Sequence, residues 1–87
     1  MKTISTIETA RGRLLYTLFS DIIDGTERFG VTVSSRIFGD EEVVSVKDIT
    51  TDPAFAQRIT FLLADNLVLP STLTEVIEEC IAAEFTV

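Results

Sequence analysis

The chain has no histidine and no tryptophan, and only one cysteine, one methionine and two prolines among its 87 residues. Without histidine it lacks the commonest general base, nucleophile activator and zinc ligand. A lone Cys80 excludes an intrachain disulfide, a cysteine-rich zinc site and a dithiol redox pair. Gly12, Gly25, Gly30 and Gly39 are scattered and fit no phosphate-cradling loop. Positive charge is also scarce: seven Lys+Arg stand against fourteen Asp+Glu, for a net charge of −7 and a pI near 4.3. That sign repels nucleic-acid backbones and anionic membranes. The longest apolar run, "LLYTLFSDII", is interrupted by Thr17, Ser20 and Asp21 and falls far short of the roughly 20 residues a membrane helix needs. No hydrophobic signal segment follows Lys2, so a cytoplasmic protein is expected.

Apolar residues, by contrast, are plentiful: 46% of the chain, with a mean hydropathy of +0.36. A domain this short buries only about 60 to 65% of its unfolded surface. Some of the apolar excess should therefore meet a partner or a second copy. Charge is unevenly spread. Lys2, Arg11, Arg13, Arg28 and Arg36 lie in the first 37 residues, whereas residues 38–87 hold only Lys47 and Arg58 among their acids.

Asp24-Gly25 and Gly39-Asp40 are the strongest turn signals, and two reversals there give a three-stranded antiparallel meander. A two-residue loop at Asp24-Gly25 pairs Ser20 with Phe29, Leu18 with Val31 and Tyr16 with Val33 on one face. The other face pairs Asp21 with Arg28, Phe19 with Gly30 and Thr17 with Thr32. Turning again at Gly39-Asp40 sets Val46 beside Val33 and Val44 beside Ser35. The predicted inner face is then Leu14, Tyr16, Leu18, Phe29, Val31, Val33, Val44 and Val46. A helix over residues 4–22 competes, because Ile4, Ile7, Leu14, Leu18 and Ile22 lie near helical spacing; Gly12, Thr17 and the matched cross-strand pairs favour the strand.

Two helices should cover that face. Asp52 is a good N-cap, Pro53 suits the first helical position, and Phe55, Ile59, Leu62 and Leu63 form a stripe that Asn66 can end in a left-handed conformation. "TLTE", Thr72 to Glu75, has capping-box spacing before Leu73, Val76, Ile77, Cys80 and Ile81. The expected architecture is a two-layer α+β domain over residues 13–87, a three-stranded antiparallel meander followed by a helical hairpin packed on one face. Residues 1–12 read as a short lead, flexible or laid over the sheet.

The order of a Phe29-Gly30-Val31 strand, the segment Asp48-Ile49-Thr50-Thr51-Asp52, an amphipathic helix and "LVLPSTLTEVIEECI" resembles a small family of uncharacterised proteins from Gram-positive bacteria. The likeness spans roughly residues 13–83 and its motifs are structural in kind. It implies the architecture and supplies no active site.

Candidate chemistry is thin. Asp40-Glu41-Glu42 and Glu75/Glu78/Glu79 lack the Gly-punctuated oxygen loop of a tight calcium site and read as solvated acidic faces. Cys80 sits in an apolar stripe and reads as a packing residue. Lys47 shares the outer sheet face with several hydroxyls, but an open face is a poor place to exclude water from a Ser-Lys pair. No enzyme activity, metal or cofactor is therefore expected. The lead that remains is the outer sheet face, with Phe19 and Phe38 as candidate exposed aromatics beside Arg28, Arg36 and Lys47. It would serve a protein partner or homo-oligomer contact. The alternative is a single-stranded nucleic-acid platform, against which the net charge weighs. A plainer reading has Phe19 shielding Gly30 and residues 1–12 burying the face.

Overall fold

The computed structural model describes residues 1–36 and 39–85. Strands β1 (Lys2–Thr9), β2 (Leu14–Ile23), β3 (Thr26–Ser35) and β4 (Glu42–Thr50) precede helices α1 (Pro53–Asp65) and α2 (Leu73–Phe85). The strands form one antiparallel sheet in the order β1-β2-β3-β4. The α+β reading with two helices is correct, but the sheet has four strands rather than three. Residues 2–9 supply the extra one, paired along β2.

Its sequence, "KTISTIET", is rich in β-branched residues, which suits a strand. The three-residue spacing of Ile4 and Ile7 hides the alternation, and a register shift between Thr3 and Ser5 absorbs the odd residue. Ile7 then faces Tyr16 and packs against the core. The turn into β2 was also silent in sequence. Ala10 and Arg11 take positive φ of 52° and 59°, a conformation that costs an L-residue about 1 to 2 kcal/mol.

The β2–β3 hairpin has the register predicted from Asp24-Gly25, from Tyr16↔Val33 through Asp21↔Arg28. Both turn residues adopt positive φ, 52° and 78°, as a tight hairpin of this hand requires. Between β3 and β4 the observed pairs are Val31↔Val46 and Val33↔Val44, two residues away from the expected register. The last pair is Ser35 with Glu42, so the ladder ends there instead of running on to close at Gly39-Asp40. A shift of two preserves the faces. Leu14, Tyr16, Leu18, Phe29, Val31 and Val33 are buried, with Val44 and Val46 packed partly buried against them.

Asp52 caps α1 as expected, its Oδ1 accepting from the Ala54 N–H at 2.9 Å, with Pro53 opening the helix. The buried face is Ala56, Ile59, Thr60, Leu63 and Ala64. The helix is thus rotated from the predicted stripe, because small Ala56 and Ala64 let its backbone settle on the sheet, and Leu62 turns outward. The left-handed residue at its end is Leu67, φ 50°, and not Asn66, φ −97°. Val68 N–H donates to Leu63 O at 3.0 Å and Leu67 N–H to Ala64 O at 3.2 Å, a Schellman closure. Asn66 Nδ2 adds a bond to Leu62 O at 2.8 Å. Thr72 lies in a 3-10 turn, Pro70–Thr72, and its hydroxyl donates back to Leu69 O at 3.3 Å. The buried Tyr16 hydroxyl donates to Val68 O at 2.9 Å, fastening β2 to the link between the helices.

Candidate interaction surfaces

On the outer side of the sheet, the register aligns Thr6, Thr17, Thr32 and Ser45 in one row across all four strands. Thr32 Oγ1 and Ser45 Oγ are hydrogen-bonded at 2.7 Å. The neighbouring pair is Phe19 and Gly30. Phe19 is only 1% exposed, which corrects its assignment as a surface aromatic. The cause is local. A Cβ built on Gly30 would lie 2.6 Å from Phe19 Cζ and 2.5 Å from Val46 O, so glycine alone lets the ring lie flat while β4 stays close. Phe38, the other expected aromatic, lies outside the described residues.

The three expected bases are not gathered into one basic patch. Arg28 donates from Nη1 to Asp48 Oδ1 at 2.8 Å, where Asp48 bulges out of β4 with φ 55°. Arg36 Nε stands 3.5 Å from Glu41 Oε2, and Lys47 is exposed. At the far end of the same face, Glu8, Gly12, Arg13, Leu15, Ser34 and Arg36 line a polar depression of about 170 Å³.

The solvent side of the helices differs. Phe61, Leu62 and Leu67 are 58%, 45% and 51% exposed. α1 lies against β2, β3 and β4, whereas α2 lies against β4. Between the helices is an open, mainly apolar cleft of about 270 Å³, lined by Phe55, Arg58, Ile59 and Leu62 of α1 and by Cys80 and Ala83 of α2. The Arg58 guanidinium sits 5.5 Å from the Phe55 ring centroid, within cation–π range. Burial, followed by the charge of Glu79, pushes the Cys80 thiol above its ordinary value, which keeps it protonated and a poor nucleophile at neutral pH.

Sequence reasoning placed Leu62 in the core and did not use Phe61. One signal was available: three consecutive apolar residues, Phe61-Leu62-Leu63, span about 200° of a helix and cannot all face one layer. Ile22 and Val43 are also exposed, on the hairpin end and the β4 edge, but isolated apolar residues at a surface are ordinary.

Among the described residues no three acidic or thiol side chains stand where they could hold a metal ion, and no helix is long and apolar enough to cross a membrane. A family model described as "Family of unknown function (DUF6514)" matches residues 1–83. No curated protein and no solved structure matches the chain.

Proposed function

The chain belongs to the DUF6514 family, whose function is unknown, and we propose on physical grounds that it is a non-catalytic protein-interaction module of the bacterial cytoplasm. Its docking surface is the solvent side of the helical layer. This departs from the surface expected from sequence, since Phe19 is buried against Gly30 and leaves the outer sheet face hydroxyl-rich. One observation carries the reading. Phe61, Leu62 and Leu67 are each about half exposed on the helical side, and Leu62 also lines an apolar cleft, in a chain small enough that such exposure is costly unless covered. Aromatic and large aliphatic side chains around a concave apolar centre are what stable protein contacts use.

A photo-crosslinking phenylalanine analogue placed at Phe61, and separately at Thr17, tests this in cells that make the protein naturally. Discrete protein adducts at position 61 with none at position 17 are expected. Protein adducts confined to position 17 would move the contact to the sheet face, and RNA adducts at position 17 would favour the nucleic-acid platform.

A further inference from the structure

Building on the interaction-module reading, we infer that the cleft between α1 and α2 receives the apolar side of a basic amphipathic helix from a partner protein, its Lys or Arg residues aligned along α2. The cleft supplies the apolar half of the site. An apolar cavity of about 150 Å³ already accepts a benzene ring, so the roughly 270 Å³ here seats more than one large side chain, with Leu62 continuing the surface at its lip. Two helices with a cleft between them offer the helix-in-groove geometry by which amphipathic segments dock.

Charge decides which helix fits. Glu75, Glu79 and Ala83 succeed one another at four-residue intervals and form one stripe of α2, and Ala83 lines the cleft. Glu79 is near enough to bear on the Cys80 thiol in the cleft wall. The last turn of α2 carries no basic residue, so the negative end of its dipole adds to the same lip. The opposite lip is Arg58, held over Phe55. The cleft is therefore polarised, and the partner's bases belong on the α2 side.

The same charges disfavour other occupants. Residues 52–85 contain one base, Arg58, against Asp52, Asp65, Glu75, Glu78, Glu79 and Glu84. A second copy would bring the same net negative charge to the contact. Anionic lipid surfaces and nucleic acids are repelled for the same reason.

The test is a calorimetric titration of the whole chain with an amphipathic Leu/Lys peptide of about five helical turns (~18 residues), against a Leu/Glu peptide with the same apolar pattern. The Leu/Lys peptide should bind with a Kd of order micromolar, and the Leu/Glu peptide should not. Ala83→Leu, which fills the cleft with an apolar group, should abolish binding in a folded protein. Glu75→Gln with Glu79→Gln should weaken it about tenfold, whereas Lys47→Gln on the sheet should leave it unchanged. Equal binding of both peptides, no binding at ~1 mM, or Leu/Lys binding indifferent to Ala83→Leu would overturn the inference. A dimer of the free chain that is broken by Ala83→Leu would overturn it in favour of a second copy. Crosslinks at position 61 without Leu/Lys binding would leave the interaction module standing and this choice of partner wrong; Leu/Lys binding sensitive to Ala83→Leu but without crosslinks at position 61 would support the cleft and place Phe61 outside the contact.

Discussion

The two broad surfaces of this molecule manage apolar side chains in opposite ways. On the outer side of the sheet, Phe19 is folded down onto Gly30, hydroxyls from four strands form the adjoining row, and Arg28 is paired with Asp48. On the outer side of the helices, Phe61 and Leu62 stand in solvent and the acids of α2 have no base on their own helix. An aromatic residue on a polar strand face is thus no evidence of a binding surface when a glycine lies opposite it. Three apolar residues in succession on a helix are better evidence, because one layer cannot hold them all.

The sharpest way to break this contrast is in the layer beneath it. Val33 is fully buried between the sheet and the helices. Val33→Asp should leave no folded state, since an unpaired buried carboxylate costs several kcal/mol against a total stability of about 5 to 10 kcal/mol. Circular dichroism of a folded, cooperatively melting Val33→Asp protein would contradict the assigned inner face. Next in size is the comparison of the two phenylalanines. Phe19→Ala should lower the unfolding free energy in urea by about 3 to 5 kcal/mol, whereas Phe61→Ala should stay within about 0.5 kcal/mol of the parent. Gly30→Ala should cost about 1 to 3 kcal/mol, because its Cβ meets both the Phe19 ring and the β4 backbone.

A more modest loss than that at Phe19 is expected at Tyr16. Tyr16→Phe removes the bond to Val68 O and should cost about 1 to 2 kcal/mol. Burial pushes the Tyr16 phenol above its ordinary value, with the Thr9 hydroxyl acting in the other direction. The folded state therefore holds its proton more tightly than the unfolded state does. The resulting stability is present in full below about pH 10 and is lost as pH rises through the folded-state value. Tyr16 is the chain's single tyrosine, so phenolate absorbance follows it directly. Tyr16→Phe should flatten the alkaline loss of stability.

Much of the fold was legible where local chemistry and global pattern agree. Asp24-Gly25 set the β2–β3 register residue by residue, and Asp52-Pro53 marked the start of α1. Legibility failed where the backbone did something its residues do not advertise. β1 was obscured by a bulge that upsets the two-residue alternation and by a turn whose left-handed residues are Ala and Arg. The β3–β4 register depended on loop length, which Gly39-Asp40 did not determine. The candidate surface was missed for a different reason. Burial of Phe19 follows from how closely β4 approaches Gly30, and the exposure of Leu62 from a helix rotation set by Ala56 and Ala64. Both are tertiary consequences.

The contrast between the two faces can be measured directly by fluorine NMR, with a fluorinated phenylalanine placed at Phe19 or at Phe61. A soluble paramagnetic reagent should broaden the Phe61 signal and spare Phe19, and an extract of the source cells should shift or broaden Phe61 alone. A Phe19 signal that responds to reagent and extract while Phe61 stays unchanged would contradict the assignment of the helical side as the docking surface.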